Sequence, residues 1–156
     1  METSLRGHVD SVTCVVVDWA SLRVLSGSDD GTLRLWDLGH GELVKEFVSY
    51  SCEVTDPHHG YIETAVNCVA VDWSSGMALS GSRDGVLRFW GLESGCLVRE
   101  LTGHMGPVLC IVADWPAQRA VSGSRDSMLR LWDLPGGATV RIWKGHSPVV
   151  RCLVAC

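Results

Sequence analysis

"LSGSDDGTLRLWDL", residues 25–38, occurs three times in this sequence with small changes. The second copy reads "LSGSRDGVLRFWGL" from Leu79, and the third reads "VSGSRDSMLRLWDL" from Val121. The copies begin 54 and 42 residues apart. A repeat of this length indicates a fold in which one small structural unit is used several times, so the repeat decides the fold class.

Other residues keep the same register as the quoted stretch. They are the first tryptophan of each unit (Trp19, Trp73, Trp115), the second tryptophan (Trp36, Trp90, Trp132), the arginine two residues before it (Arg34, Arg88, Arg130) and the histidine of each Gly-His pair (His8, His104, His146). The second unit has no Gly-His pair in register. So many markers with one spacing indicate three equivalent units and the start of a fourth.

Each unit has the pattern of short β-strands. In the first unit, runs rich in Val, Leu and Trp alternate with Gly, Asp and Ser turn signals, which predicts strands near 11–17, 22–27, 32–37 and 42–47. The Asp-Gly pair in "SDDGT" favours a tight turn between the second and third strands. A four-stranded sheet of this size cannot bury both faces alone, so we expect it to stack on its own repeats.

Gly7-His8, "SGSDDG" and Trp36-Asp37 stand at the spacing of one known repeat, and the units resemble WD40 repeats of a β-propeller. The resemblance implies an all-β fold made of blades of four antiparallel strands. We expect an incomplete or open arc of about three blades plus one strand, whose open blade edges could self-associate. The expected bounds are blade 1 at about 8–47, an insertion loop at about 48–60, blade 2 at about 61–101, blade 3 at about 104–144 and the first strand of blade 4 at about 146–156.

The resemblance also implies a buried, hydrogen-bonded set of four side chains in each blade. A buried Asp and His need hydrogen-bond partners, which a Trp N–H and a Ser hydroxyl can supply. The sets map onto His8, Ser26, Asp30 and Trp36 in blade 1, Ser80, Asp84 and Trp90 in blade 2, and His104, Ser122, Asp126 and Trp132 in blade 3, while His146 opens blade 4. In blade 2 the histidine position falls on Tyr61 or Ile62, and either Tyr61 or the nearby His59 could substitute for it.

A recurring Ser, His and Asp also suggests a hydrolase triad, and this alternative is weaker. A triad requires one exposed nucleophile beside one oxyanion hole, whereas this combination is repeated. The stretch "SGSRD" lacks the second glycine of a GxSxG nucleophile elbow. We therefore expect no catalytic residues.

Charge and cysteine spacing exclude further classes of site. A net charge of -5 argues against nucleic acid or an anionic membrane as a partner. Four cysteines recur at one apolar position of the repeat and no CxxC pair exists, so we expect neither a metal site nor a cofactor. These features are typical of a cytoplasmic or nuclear protein.

Residues that depart from the repeat are the candidates for partner binding. The longer interval carries twelve extra residues within "VSYSCEVTDPHHGYIET", which includes Tyr50, His58, His59 and Tyr61. The resemblance implies that this loop lies on the same rim of the propeller as the turn that holds the Asp of each hydrogen-bonded set. The residue before that Asp is Asp29, Arg83 or Arg125 in the three units. The two arginines could bind an acidic or phosphorylated peptide; the alternatives are a tolerated insertion and ordinary surface charge.

The sequence predicts a noncatalytic protein–protein interaction scaffold or adaptor that presents peptide-binding loops on a propeller rim. Its expected partners are other proteins, as peptide segments or complex subunits. Two alternatives stay open. One is a substrate-receptor or subunit module of a ubiquitin ligase, and the other is the WD40 array of a larger NTPase- or kinase-containing signalling protein.

Overall fold

The computed structural model describes residues 4–48 and 64–144, and these ranges form three four-stranded antiparallel sheets. Sheet I contains β1 (Val12–Asp18), β2 (Arg23–Ser28), β3 (Thr32–Asp37) and β4 (Glu42–Val48). Sheet II contains β5 (Val66–Asp72), β6 (Met77–Ser82), β7 (Leu87–Gly91) and β8 (Leu97–Leu101). Sheet III contains β9 (Val108–Asp114), β10 (Arg119–Ser124), β11 (Met128–Asp133) and β12 (Thr139–Lys144). The predicted all-β class is confirmed, and none of the described elements is a helix that could cross a membrane.

The strands of each sheet follow one another in chain order. In the middle strand pairs, Leu25 lies opposite Leu35, Leu79 opposite Phe89 and Val121 opposite Leu131, so the three sheets share one register. Each sheet also has an irregularity between its third and fourth strands, at the residue that precedes the second tryptophan. Three of the four strands predicted in the first unit end one residue too early, because Asp18, Ser28 and Val48 still pair across the sheet.

The tight turn between the second and third strands recurs in each sheet. It is closed by a hydrogen bond from Gly31 N to Ser28 O in sheet I and from Gly85 N to Ser82 O in sheet II, each 3.2 Å long. The donor residue has φ of +79° at Gly31 and +83° at Gly85, a region that glycine enters without strain. Sheet III has Ser127 at this position with φ of +67°, which costs about 1 kcal/mol.

The hydrophobic core lies between sheets, in two clusters of corresponding residues. In the first cluster, Leu25, Leu33, Leu35 and Phe47 of sheet I pack against Val66, Ala78, Trp90 and Leu92 of sheet II. In the second, Leu79, Leu87, Phe89 and Leu101 of sheet II pack against Val108, Ala120, Trp132 and Leu134 of sheet III. We call the face of a sheet that packs towards the following sheet its trailing face. The opposite face, which packs towards the preceding sheet, is its leading face.

Candidate functional site

Four side chains of sheet I form one connected network, here called polar set I: His8, Ser26, Asp30 and Trp36. Trp36 Nε1 donates to Ser26 Oγ at 2.8 Å, and His8 Nε2 lies 2.7 Å from the same oxygen. His8 Nδ1 lies 2.8 Å from Asp30 Oδ2. Since a carboxylate can only accept, the Nδ1–H of His8 donates to Asp30, and since an indole can only donate, Ser26 Oγ accepts from Trp36.

Asp30 connects the network to the backbone on two sides. Its Oδ2 accepts from Val9 N at 3.0 Å, while Oδ1 accepts from Thr32 N at 2.9 Å and from Thr32 Oγ1 at 2.6 Å. Burial of the carboxyl favours a raised pKa, but the hydrogen bonds from Thr32, His8 and Val9 outweigh it and lower the pKa to about 2. The ionised carboxylate therefore fixes the loop before β1 to the turn between β2 and β3.

Sheet III contains the same arrangement, polar set III: His104, Ser122, Asp126 and Trp132. His104 Nδ1 lies 2.8 Å from Asp126 Oδ2, and Ser122 Oγ lies 2.8 Å from both His104 Nε2 and Trp132 Nε1. Burial lowers the pKa of His104 against the opposing effect of its bond to Asp126, so the imidazole is neutral near pH 7.

The serines of both sets are inaccessible. Ser26 is 4% exposed and Ser122 is fully buried, and each hydroxyl already accepts from an indole and bonds an imidazole. A serine nucleophile needs an open approach for its substrate and donors for the oxyanion. The geometry of these sets instead suits a structural role, in which the side chains hold the loop before the first strand to the rest of the sheet.

Sheet II retains only part of the arrangement. Trp90 Nε1 donates to Ser80 Oγ at 2.9 Å, as in the other sheets. Asp84 is bound by Arg88, whose Nη2 donates to Asp84 Oδ2 at 2.7 Å. The Nε of Arg88 donates to Glu100 Oε1 at 2.9 Å. Arg88 is only 6% exposed, so this ion pair is largely shielded from water. Tyr61 and His59, the substitutes suggested by the sequence, lie outside the described residues.

Arg88 was missed as a functional group because its position is repeated and therefore looked uniform. In sheet I, Arg34 lies against the backbone of Gly7, where an added Cβ would stand 1.9 Å from Arg34 Nη1. In sheet III, Arg130 lies against Gly103 in the same way, at 2.8 Å. In the second unit, Tyr61 stands where the other units have this glycine, and Asp84 stands four residues before Arg88. These two features of the sequence were the available signal that Arg88 differs from Arg34 and Arg130.

Asp29, Arg83 and Arg125 occupy corresponding places in the tight turns. The backbone N–H of each donates to the loop before the first strand of its own sheet, at 2.9 Å to Ser11 O, 2.8 Å to Ala65 O and 2.9 Å to Pro107 O respectively. Both arginines are exposed, whereas Asp29 is half-buried. Within the described ranges, neither guanidinium has a hydrogen bond or an ion pair.

The two arginine turns lie along one continuous strip of backbone. A Cβ on Gly85, in the turn of Arg83, would stand 2.9 Å from His104 O and 3.1 Å from Gly106 O. A Cβ on Gly106 would in turn stand 3.8 Å from Arg125 Cβ. The loop before sheet III thus bridges the two turns. Met105, on this loop between the two arginine turns, is 89% exposed.

The remaining sequence candidates do not enter this geometry. Tyr50, His58, His59, Tyr61 and His146 lie outside the described residues. Among those described, no three His, Cys, Asp or Glu side chains are grouped so that they could hold a metal ion. Burial raises the pKa of the Cys14 and Cys68 thiols, as expected for interior positions of the repeat.

Comparisons with known proteins also find a repeated unit along most of the chain. A family model described as "WD domain, G-beta repeat" matches residues 1–37, 50–91 and 95–133. The chain is 31% identical to the CCR4-associated factor 4 homolog of Candida glabrata over 110 residues, which is 65% of this chain and 18% of that protein. It is 35% identical to mitochondrial division protein 1 of Sclerotinia sclerotiorum, over 67% of this chain and 17% of that protein. It is 37% identical to human THO complex subunit 6, over 58% and 25% respectively.

Solved structures agree on the fold. The WD40 repeats of RRP9 match with a TM-score of 0.80 and 23% identity, over 95% of this chain and 43% of that chain. The computationally designed Ika4 protein matches with the same TM-score and 24% identity, over 100% and 87%. The three curated relatives match 58–67% of this chain, and the chain covers only 17–25% of their own length. The chain belongs to the WD domain, G-beta repeat family.

Proposed function

We propose that this chain is a noncatalytic protein–protein interaction module whose rim binds anionic peptide segments through Arg83 and Arg125. The proposal rests on two exposed arginines that occupy corresponding turns of neighbouring sheets. Neither arginine forms an ion pair with any of the described residues. Exposed cations that are not satisfied within their own fold remain available to a partner.

The geometry of the turns favours such binding. A guanidinium presents two parallel N–H donors that fit a carboxylate or a phosphate. Each arginine stands on a turn whose backbone is held by a hydrogen bond to the neighbouring loop, so little ordering is needed when a ligand arrives. Met105, between the two turns, offers an apolar contact to a side chain next to the anionic group.

The relatives support the general class and not a particular partner. One is named as a subunit of the THO complex and another as a factor associated with CCR4, names that describe proteins working with other proteins. We extend only this general property to the present chain. Its net charge of -5 makes the two arginines a local basic feature on an acidic molecule.

The proposal is tested by reversing charge on the rim and, as a control, at two exposed cations outside the rim turns. The rim variant is Arg83→Glu with Arg125→Glu. The control is Arg6→Glu with Lys144→Glu, which makes the same change in net charge in the loop before β1 and at the end of β12. Both variants are compared with the unmodified chain by affinity capture and quantitative mass spectrometry.

We expect the rim variant to lose a set of captured proteins that the control retains, and this loss to be reproduced by raising the salt concentration. Thermal unfolding of both variants should match that of the unmodified chain, because exposed charges contribute little to stability. Identical lists of captured proteins for the rim variant and the unmodified chain would contradict the proposal.

A further inference from the structure

Neighbouring sheets meet through one contact that occurs twice. The tryptophan just after the first strand of a sheet packs onto the trailing face of the sheet before it. Trp115 stacks on Phe89, with ring centroids 6.4 Å apart and planes 20° from parallel. Trp73 packs in the same way against the cluster that contains Leu35. Leu35 and Phe89 are corresponding residues, so the contact is a repeated feature of the interface.

A polar contact accompanies each tryptophan. Lys45 Nζ on β4 donates to the backbone carbonyl of Glu93, in the turn before β8. Arg99 Nη1 on β8 donates to the carbonyl of Gly136, in the turn before β12, at 3.3 Å. Lys45 and Arg99 are also corresponding residues. A basic side chain on the outer strand therefore holds the outer turn of the following sheet.

The leading face of sheet I carries the same tryptophan without a partner sheet among the described residues. Trp19 corresponds to Trp73 and Trp115, yet it is 76% exposed. Val15 corresponds to Val69 and is 52% exposed, whereas Val69 is packed against the first cluster. This face therefore has the side chains of a blade interface and lies open to solvent.

The trailing face of sheet III is the matching surface. Leu25 and Leu79 are completely buried in the first two sheets, but the corresponding Val121 is half-buried. A cavity of about 220 Å³ opens there, lined by Val112, Asp114, Arg119, Ala120, Val121 and Leu131. Leu131 corresponds to Phe89, the residue on which Trp115 stacks. Arg141 corresponds to Lys45 and Arg99, and it is exposed.

We infer that these two faces bind each other between two copies of this chain, with Trp19 of one copy seated in the Leu131 cavity of the other. Arg141 then donates to the outer turn of sheet I at residues 38–41, as Lys45 and Arg99 do within the chain. The second copy is the occupant because both surfaces continue an interface that the chain already forms twice. One polar contact of the interfaces within the chain would be missing between two copies. Thr13 and Asn67 each donate to a backbone carbonyl of the next sheet, whereas the corresponding residue of sheet III is Leu109, which has no donor in its side chain.

This association is head-to-tail, so each copy uses a different surface and leaves a different surface free. It is independent of the rim, since Trp19 and Leu131 lie on sheet faces and Arg83 and Arg125 lie in turns. Residues 145–156 follow sheet III directly and lie outside the described residues. If they occupy the Leu131 cavity instead, the chain will be monomeric.

Sedimentation velocity over a dilution series of the whole chain tests the inference. We expect a mass above the 16.9 kDa monomer that falls on dilution. Trp19→Glu and Leu131→Glu should each weaken the association at least about tenfold, because each removes a central apolar contact. Met105→Glu is the control, since it changes an exposed apolar residue outside both faces. Circular dichroism checks the fold of each variant. If Leu131→Glu does not fold, it is replaced by Trp143→Glu, at the position that corresponds to Phe47 and Leu101 of the two core clusters.

Mixing the variants separates head-to-tail binding from any symmetric contact. The Trp19→Glu chain retains an intact cavity and the Leu131→Glu chain retains Trp19, so an equimolar mixture should form a dimer that does not grow further. A monomeric unmodified chain at every concentration would overturn the inference. So would association that Trp19→Glu leaves unchanged, or a mixture that fails to form dimers.

Discussion

The imidazole of His104 is held neutral between an acceptor and a donor. Asp126 accepts from its Nδ1–H, which leaves Nε2 of the neutral ring as an acceptor, so the Ser122 hydroxyl donates to Nε2 while its oxygen accepts from Trp132. Every member of the set has a partner, so loss of one member leaves others buried without a partner. The repeated Ser, His and Asp are thus interdependent for stability, a role that does not require access to a substrate.

Replacement of His104 by alanine should lower the free energy of unfolding by about 2–3 kcal/mol, because Ser122 and Asp126 both lose a buried partner. The thermal midpoint should fall by roughly 5 °C or more for a chain of this size. Differential scanning calorimetry measures both quantities. An exposed histidine, His40, supplies the control in His40→Ala, which should change the midpoint little. An unchanged midpoint in His104→Ala would refute the buried set.

Stability should also fall as the pH is lowered from neutral. The pKa of His104 is lower in the folded chain than its ordinary value of 6.5, so its contribution is complete above pH 6.5 and is lost as pH falls through the folded-state pKa. Asp30, whose pKa is lowered from 3.8 to about 2, adds a second loss below pH 3.8.

Chemical denaturation at a series of pH values measures this dependence. His104→Gln removes the titrating group, so the decrease between pH 7 and 5 should become smaller in that variant. Stability that is constant or rises as the pH falls over this range would contradict the neutral imidazole.

At the scale of the element, sheet II uses a different side chain to hold its turn. Arg88 bridges Asp84 in the turn and Glu100 on β8, so it connects the turn to the outer strand. In sheet III, the corresponding Arg130 donates to the neutral hydroxyl of Thr139 and, within residues 4–48 and 64–144, to no carboxylate. The same repeated residue therefore carries two charged contacts in one sheet and a neutral one in another.

Arg88→Met should destabilise the chain more than Arg130→Met, by about 1–2 kcal/mol, because it leaves two carboxylates without their cation. The two variants remove the same guanidinium from corresponding positions, so differences in side-chain size cancel. Urea denaturation followed by tryptophan fluorescence gives the comparison. Equal destabilisation in the two variants would show that the two ion pairs of Arg88 contribute nothing.

The repeat made most of each element predictable from sequence. Hydrophobic alternation and Asp-Gly signals gave the strand order and the position of the tight turn, because both depend on local backbone preference. The partner of Asp84 could not be derived in that way. Which long side chain reaches a carboxylate depends on packing in three dimensions, and the local sequence pattern does not determine it.

At the scale of the whole molecule, the two core clusters join sheet I to sheet II and sheet II to sheet III. Stability in such an array is approximately the sum of contributions from each unit and from each interface. The polar sets act within their own sheets, and the apolar faces act between sheets. The sequence predicted this stacking and an open arc, but not how exposed each side chain of an open face is, because exposure depends on the neighbours present.

Hydrogen exchange with Asp126→Ala tests most directly whether each polar set stabilises its own sheet. Met105 N and Met128 N donate to Asp126, and Val9 N and Thr32 N donate to Asp30 in the corresponding places. Mass spectrometry should show faster exchange in peptides containing Met105 and Met128, with no change at Val9 and Thr32. Equal acceleration at both pairs of amides, or none at either, would contradict the account.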